Sequence, residues 1–239
     1  MSTTEMLIQT RGLNTHYGAS HILRGIDFGV ARGETIGLMG RNGMGKSTLL
    51  KSIMGLVKPS GGSVHIKGED KTGAATYDVA RLGIAYVPEG RGIFGNLSVK
   101  ENLIMSARAG VRGQRDWTYE RVLETFPRLA ERLNHGGQQL SGGEQQMLTI
   151  GRTLMGNPKL LMVDEPTEGL SPIMVKEVRD VLRKISASGI SILLVEHNLK
   201  VAMSVATRVY LMGKAHLGFT GTVEELAANP EAKAKYLEV

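Results

Sequence analysis

The sequence predicts an α/β fold in which a parallel core sheet is joined to an N-terminal antiparallel β subdomain and an inserted helical subdomain. Beyond Pro158, short apolar strands alternate with helices, which is typical of a parallel sheet covered on both faces. Before Glu89, several β-rich segments are bounded by glycine, which is typical of strands joined by tight turns. Helix signals fill the segment between these regions, so we expect it to be a helical insertion.

The N-terminal part is predicted to consist mostly of strands. The segments rich in β-branched and large apolar residues are MLIQTRGL, ILRGIDFGV, ETIGLMG, GSVHIKG and GIAYVPE. After the third of these, a helix is predicted to begin at Lys46 and to end before Gly55, because glycine is favoured just past a helix C-terminus. The apolar stripe of this helix comprises Leu49, Leu50, Ile53 and Met54.

The middle segment contains three helix starts. Ser98 and Glu101 have the spacing of a capping box, in which each side chain bonds a backbone N–H at the start of a helix. Further helices are predicted over residues 118–126 and 141–155. We therefore expect a single domain, residues 1–239, with a core of about 1–90 and 157–239 and a helical insertion of about 91–156.

The C-terminal part is predicted to alternate strands and helices. Its strands are KLLMVDE, SILLVEH and RVYLMG. A helix that begins at Ser171, with Pro172 in its first turn, separates the first two strands. Its core face comprises Val178, Val181, Leu182 and Ile185. A short helix is predicted after the second strand and a helical tail after the third.

The composition is that of a globular protein. Of the 239 residues, 41% are hydrophobic and 22% are charged. No apolar run approaches the roughly 18 residues of a membrane-spanning helix, and the start, MSTTEML, lacks the charged-then-apolar layout of a secretion signal. The chain has no cysteine, which excludes disulfides and thiolate metal sites. We therefore expect a cytosolic chain.

The formal net charge of +6 leaves several partners open. A basic protein can bind nucleic acid, an anionic membrane surface or a phosphate ligand. The charge can equally belong to an ordinary solvated surface, because no block of five or more Lys or Arg residues occurs. Charge alone therefore does not select a function.

The segment GRNGMGKST has the pattern of a phosphate-binding P-loop, between an apolar strand and an amphipathic helix. Its glycines allow consecutive backbone N–H groups to point at a polyphosphate, and the helix N-terminus adds positive potential. Lys46 is expected to reach the β- and γ-phosphates, and Ser47 to supply a hydroxyl to Mg²⁺. A simple glycine-rich turn is the alternative. The residues predicted to bind ATP here are Gly40, Arg41, Asn42, Gly43, Met44, Gly45, Lys46, Ser47 and Thr48.

The strand KLLMVDE ends in two carboxylates. Asp164 is expected at the carboxyl edge of the sheet beside the phosphate loop, where it would hold Mg²⁺ through water. Glu165 follows on the opposite side of the chain and is our candidate for the base that positions and deprotonates the attacking water. The alternative for such a pair is turn and helix-cap chemistry.

The segment LSGGEQQ opens an amphipathic helix. Ser141 and Glu144 have capping-box spacing, so Ser141 could simply cap its own helix. Gly142 and Gly143, however, weaken a helix start with no expected packing gain, while they expose N–H groups at its positive end. We therefore predict a second anion site at this helix start.

With these three motifs in this order, the chain resembles the ATP-binding subunits of ABC transporters, P-loop NTPases with a RecA-like core, over nearly its whole length. Residues 40–48 resemble the Walker A loop, 140–145 the signature motif, 160–165 the Walker B strand with its catalytic Glu, and 169–172 the D-loop. The resemblance implies that Ser141, Gly142 and Gly143 face an ATP molecule held by a second subunit. It therefore implies a head-to-tail dimer closed by ATP and Mg²⁺ and opened by hydrolysis.

The resemblance also assigns three single residues. His197 matches the switch histidine, which contacts the γ-phosphate and orients the water, and Tyr17 matches the aromatic residue that stacks on adenine. Without the resemblance, His197 would be interpreted as an ordinary histidine at a strand end, and Tyr17 as an exposed tyrosine in a turn. Glu89 departs from the pattern, because the family usually has Gln as a metal contact there. A carboxylate can hold Mg²⁺ through water but cannot donate a hydrogen bond.

Within the family, the motifs most resemble one of the two ATPase subunits of importers for branched-chain amino acids, with urea and short-amide importers as the near alternative. This implies a heterodimer with a second ATPase, two transmembrane permease subunits and an extracytoplasmic solute-binding protein. The chain would then act at the cytoplasmic face of the membrane. Glu89, Arg91, Phe94 and the helix from Ser98 are expected to form a groove for a short permease helix.

Two rival functions remain from the sequence. An ABC-type ATPase that acts on nucleic acid or ribosomes would fit the positive charge, but such proteins usually have two ATPase halves, coiled-coil insertions or zinc motifs. A partner that binds ATP without hydrolysing it would not need Glu165 and His197 together. The resemblance implies that the ATPase subunit does not contact the transported solute, so its motifs do not specify which solute is carried.

Overall fold

A computed structural model of the chain describes residues 5–237. This part of the chain forms two sheets with helices around them. The strands are β1 (Met6–Tyr17), β2 (Ser20–Ala31), β3 (Thr35–Met39), β4 (Gly61–Ile66), β5 (Glu69–Asp70), β6 (Ile84–Val87), β7 (Leu160–Asp164), β8 (Ser191–Val195), β9 (Arg208–Gly213) and β10 (His216–Thr222).

The helices lie between and after these strands. They are α1 (Lys46–Ile53), α2 (Thr76–Arg81), α3 (Val99–Ile104), α4 (Tyr119–Thr125), α5 (Pro127–Ala130), α6 (Gly142–Leu154), α7 (Pro172–Ala187), α8 (Leu199–Val205), α9 (Val223–Ala227) and α10 (Pro230–Tyr236), with a 3-10 turn at Gly137–Gln139.

The larger sheet has the strand order β10-β9-β3-β8-β7-β6. Its strands β9, β3, β8, β7 and β6 are parallel, and β10 pairs antiparallel with β9 at one edge. The smaller sheet is antiparallel, with the order β2-β1-β4-β5. The predicted fold class is therefore confirmed.

The parallel sheet is buried on both faces, which explains its continuous apolar strands. In β7, Leu161 and Val163 pack on the side of helices α3, α4, α6 and α7, whereas Leu160 and Met162 pack on the side of α1 and the antiparallel sheet. The same alternation occurs in β8. Successive side chains point to opposite faces of a strand, so every apolar residue of β7 and β8 packs in one of the two cores.

The predicted helix ends are confirmed at most positions. Gly55 follows the end of α1 with φ of +70°, a left-handed conformation that glycine adopts without strain. Ser98 and Glu101 form the predicted capping box of α3, and Ser171 caps α7. The predicted core face of α7 is buried, because Val178, Val181, Leu182 and Ile185 all lie in the interior.

The prediction of a helical tail directly after RVYLMG is wrong. The chain first forms a β-hairpin, in which β10 pairs with β9 through the two residues Lys214 and Ala215. Helices α9 and α10 follow. Sequence reasoning also missed α2 and the short helix α5, which begins at Pro127, directly after the helix predicted over residues 118–126.

Helices α3 to α6 all lie in the connection from β6 to β7. The division of the domain into a core and an insertion, at about residues 91 and 156, stays a prediction. Helix α6 of the predicted insertion shares one hydrophobic core with β7 and β8. Within residues 5–237, no helix combines the length and the apolar character that crossing a membrane requires.

Candidate functional site

Four loops meet at one edge of the parallel sheet. Gly40 follows β3, Glu89 lies just beyond β6, Glu165 follows β7 and His197 lies just beyond β8. Because these strands are parallel, their carboxyl ends are all at this edge, where ligands of open α/β sheets bind. The fold therefore brings together residues that are far apart in the sequence.

The loop after β3 depends on glycine at specific positions. Gly40 has φ of +152°, and a Cβ there would collide with the carbonyl of Met212. Gly43 and Gly45 have φ of +75° and +101°, so the chain passes through left-handed conformations before α1 begins. These conformations curl the loop around the N-terminus of α1.

Lys46 is the first residue of α1, and its side chain folds back over this loop. Its Nζ donates hydrogen bonds to the carbonyls of Gly40 at 2.9 Å and Arg41 at 3.1 Å, and the residue is only 4% exposed. The same Nζ lies 3.5 Å from Glu165 Oε1. A buried ammonium group is thus held at the centre of the loop.

Asp164 is buried at the end of β7 and is held by two hydroxyl groups. Ser47 Oγ donates to Oδ1 at 3.0 Å, and Tyr86 Oη donates to Oδ2 at 2.9 Å. Burial raises the pKa of the Asp164 carboxyl above its ordinary value, and the two hydrogen bonds oppose this rise. Burial and the Asp164 charge also raise the pKa of the Tyr86 phenol, which therefore stays a donor.

Glu165 was predicted on the opposite side of the chain from Asp164, but its carboxylate reaches the same site. Its φ of +47° is left-handed, which is uncommon for a residue other than glycine. Oε1 lies 3.3 Å from His197 Nδ1, and Lys46 contacts the same oxygen. Burial raises the pKa of the Glu165 carboxyl, although His197 and Lys46 act against this rise.

A cleft of about 400 Å³ opens over the P-loop and Glu165, whereas Asp164 and His197 are not among its lining residues. Tyr17, which is 47% exposed, lies on its wall. The cleft thus combines an aromatic ring, backbone N–H groups and a buried lysine, which suits a nucleotide with a polyphosphate tail. The residues that line it are Tyr17, Ile22, Asn42, Gly43, Gly45, Lys46, Ser47, Thr48, Glu89, Glu165 and Glu168.

Ser141 caps α6 as the capping-box alternative predicts. Its backbone N–H donates to Glu144 Oε2 at 2.7 Å, and its Oγ accepts the Glu144 N–H at 3.4 Å. No residue of 141–143 is among the described residues that line the cleft. This motif therefore lies outside the cleft that the P-loop of the same chain forms.

The expectation that Gly142 and Gly143 bring no packing gain is wrong. A Cβ at Gly143 would collide with the side chain of Met174, and a Cβ at Gly142 would lie 2.7 Å from the guanidinium of Arg91. The side chains of Arg91 and of Met174, in α7, occupy the space beside the first turn of α6 that a Cβ would take. Such contacts between distant segments have no local sequence signal.

Sequence reasoning missed several residues of the site. Tyr86 bonds Asp164 only because β6 pairs with β7, and nothing in the local sequence indicates this pairing. Glu168 was also missed, although it lies three residues after Glu165. Ligand atoms of Glu165, Glu168 and His197 lie within 4.8 Å of one another and could hold a metal ion, but exposed acidic groups are common without one.

The family model described as ABC transporter matches residues 23–168. The high-affinity branched-chain amino acid transport ATP-binding protein BraG of Pseudomonas aeruginosa is 38% identical over 225 residues, which cover 94% of this chain and 97% of BraG. The protein described as probable branched-chain amino acid transport ATP-binding protein LivF of Archaeoglobus fulgidus is 35% identical, with coverage of 92% and 94%. The lipopolysaccharide export system ATP-binding protein LptB of Escherichia coli K12 is 31% identical, with coverage of 96% and 96%.

Solved structures of ABC transporter subunits also resemble this chain. The ATP-binding subunit of an ABC transporter has a TM-score of 0.79 at 30% identity. The match covers 93% of this chain and 92% of that subunit. A nucleotide-free ATP-binding cassette from an ABC transporter has a TM-score of 0.82 at 24% identity, with coverage of 95% and 97%, and it supports the fold alone. The protein is an ATP-binding and ATP-hydrolysing member of the ABC transporter family.

Proposed function

We propose that this chain is the ATPase subunit of an importer for branched-chain amino acids. The observation that carries the proposal is the likeness to BraG and LivF at 38% and 35% identity, against 31% for LptB. Lipopolysaccharide export is the second candidate, because LptB is similar over nearly the whole chain. The urea and short-amide importers stay an alternative from the sequence.

The residues of the cleft divide into binding and catalytic groups. Tyr17 would stack on the adenine ring, and residues 40–48 would hold the phosphates through backbone N–H groups and Lys46. A bound γ-phosphate would compete with Glu165 for Lys46 Nζ, which lies 3.5 Å from that carboxylate. ATP binding would thus free Glu165 to accept a proton from water.

The oxygen donors beside the P-loop fit Mg²⁺, which prefers hard oxygen ligands. Ser47 Oγ and Asp164 Oδ1 lie 3.0 Å apart, and burial raises the pKa of the Asp164 carboxyl, so a cation there would stabilise its charged form. Glu89 lines the same cleft and would add a carboxylate. We propose Ser47, Asp164 and Glu89 as the residues that hold the metal, whose charge would neutralise the phosphates.

Glu165 and His197 would carry the hydrolysis step. Glu165 would take the proton of the attacking water, and His197, whose Nδ1 lies 3.3 Å from Glu165 Oε1, would orient the water and contact the γ-phosphate. Ser141, Gly142 and Gly143 would face the ATP of a second subunit, as the family resemblance implies, and none of them lines the cleft of their own chain. Each site would then need a dimer, which we propose is a heterodimer with a second ABC ATPase.

A groove of about 620 Å³ is a candidate surface for a permease helix. It combines the apolar side chains of Leu56 and Met105 with the basic side chains of Arg108 and Arg152. This groove differs from the predicted one, which was expected to include Glu89 and Arg91. Glu89 lines the nucleotide cleft instead, and Arg91 packs on Gly142. Phe94 is 45% exposed beside Arg152, whose Cζ lies 4.7 Å from the ring centroid.

The proposed assembly would also contain two permease subunits and an extracytoplasmic solute-binding protein, with this chain at the cytoplasmic face of the membrane. Deletion of the gene is expected to abolish high-affinity uptake of radiolabelled leucine, isoleucine and valine. The wild-type gene and Glu231→Gln, a change on the exposed face of α10, should restore uptake. Glu165→Gln should not, although the protein should still reach the membrane fraction.

Other outcomes of this deletion would reject the solute assignment. Normal uptake of all three amino acids together with a loss of surface lipopolysaccharide would favour the export function. Normal uptake together with a loss of urea or amide uptake would favour the related importers. If no transport changes, the transporter subunit itself is the wrong proposal.

A substitution at Glu89 tests its placement on the loop between the cleft and the helices after β6. Glu89→Gln keeps the shape of the side chain, and we expect the ATP dissociation constant to stay within about threefold. The factor by which the permease subunits stimulate ATP hydrolysis should change, because this loop is the joint between the cleft and the helices after β6. Reconstituted complexes with and without permease measure this factor, and an unchanged factor would contradict the placement.

A further inference from the structure

Glu196, which directly precedes His197, is a fully buried carboxylate with an exposure of 0%. Among residues 5–237 it takes part in no ion pair. Burying a charged group without a cationic partner is costly unless hydrogen bonds satisfy it. Glu196 therefore depends on hydrogen-bond partners, and it lies one residue away from the proposed switch histidine.

Both carboxylate oxygens of Glu196 accept hydrogen bonds from the loops of the site. Oε2 accepts the backbone N–H of Asn198 at 2.8 Å, which closes a short turn around His197. Oε1 accepts the hydroxyl of Thr167, which is 8% exposed and lies in the loop between β7 and α7. Glu196 thus joins the loop that carries Glu165 to the loop that carries His197.

The backbone on either side of His197 is fixed as well. The Glu196 N–H donates to the carbonyl of Leu38 in the neighbouring strand β3 at 3.3 Å. Asn198 caps α8, because its Oδ1 accepts the Val201 N–H at 3.2 Å. The histidine is therefore held between two anchored residues. Two contacts tie this unit to the loop after β7: the Glu165 N–H, which donates to the Val195 carbonyl at 2.9 Å, and the Thr167 hydroxyl, which is the side-chain contact.

We propose that Thr167 and Glu196 are positioning residues that set the separation between Glu165 and His197. Thr167 lies two residues after Glu165, and Glu196 lies one residue before His197. Their hydrogen bond therefore keeps the 3.3 Å contact between the Glu165 and His197 side chains when either loop shifts. This inference rests on the role proposed above for His197, and it adds a coupling between the two loops.

The first test removes only the hydroxyl. Thr167→Val should lower kcat for ATP about 10- to 100-fold, because a misplacement of about 1 Å at a reacting group can cost that much. The ATP dissociation constant should stay within about twofold, since neither Thr167 nor Glu196 lines the cleft. Thr167→Ser should restore kcat, and Thr125→Val, which removes a helix hydroxyl bonded to Arg121 O, should leave kcat unchanged.

The second test separates a positioning role from a general structural one. In single-turnover assays, Thr167→Val should have little further effect in a His197→Ala background, because residues that act as a unit are not additive. If the losses of rate caused by Thr167→Val and His197→Ala are additive, the proposal is wrong. A Thr167→Val variant with normal kcat would also overturn it. Thermal unfolding of each variant checks that the fold is retained.

The third test does not depend on hydrolysis. The chain has six histidines, so the ring resonances of His197 can be assigned by their loss in His197→Gln. Thr167→Val should shift or broaden these resonances, while Thr167→Ser and Thr125→Val should leave them unchanged. If His197→Ala alone leaves hydrolysis intact, the catalytic role of His197 is wrong, whereas unmoved resonances in Thr167→Val would reject the positioning role itself.

Discussion

Glu165→Gln is expected to lower the rate of ATP hydrolysis about 10²- to 10⁴-fold, the usual contribution of a general base. The amide has nearly the shape of the carboxylate, but it cannot accept the proton of the attacking water. ATP binding should persist, because the P-loop and Lys46 are unchanged and the ion pair that competes with the phosphate is removed. The ATP-bound dimer should therefore accumulate.

Two measurements check this prediction. Phosphate release in the assembled complex gives the rate, and light scattering after size exclusion with ATP and Mg²⁺ gives the mass of the particle. Glu231→Gln on the exposed face of α10 is the control with the same change of side chain. Persistent hydrolysis without a nucleotide-dependent dimer would show that Glu165 is not the base.

Lys46→Ala is expected to weaken ATP binding about 10- to 100-fold and to remove most hydrolysis. The ammonium group would make charge-assisted hydrogen bonds to the phosphates, each of which contributes about 1.5–3 kcal/mol. The substitution also releases the carbonyls of Gly40 and Arg41, which accept hydrogen bonds from Nζ in this structure. The loop therefore loses both its ligand contact and an internal support.

Titration calorimetry with ATP gives the dissociation constant of this variant. Lys46→Arg should also bind poorly, because the planar guanidinium does not fit a position that is 4% exposed. Lys58→Ala, at an exposed lysine outside the cleft, controls for the loss of one positive charge. Dissociation constants within twofold of the wild type for Lys46→Ala would contradict the assigned role.

The parts of the site that the sequence predicts depend on local geometry. The P-loop needs glycine in left-handed conformations and a helix directly after it, and both requirements are visible in GRNGMGKST. Asp164 is likewise predictable, because four apolar residues before it indicate a buried strand with a polar end. Neither prediction requires the order of the neighbouring strands in the sheet.

The parts that the sequence does not predict depend on distant contacts or unusual turns. The hairpin from β9 to β10 turns at Lys214 and Ala215, with φ of 45° and 69°. Such a turn usually contains Asn-Gly or Asp-Gly, so its standard signal is absent here. Gly142 and Gly143 were misinterpreted for a similar reason, because Arg91 and Met174 come from other parts of the chain.

The left-handed backbone at Glu165 has a consequence for the evolution of this chain. A side chain in that conformation costs about 1–2 kcal/mol, and glycine would relieve the cost. The free energy of unfolding of a typical protein is about 5–15 kcal/mol, so relief of this strain would be a noticeable gain in stability. It would benefit a duplicated copy of the protein that no longer needs to hydrolyse ATP. Selection for stability in such a copy would favour glycine at position 165, so glycine is the substitution we expect there once hydrolysis is no longer required.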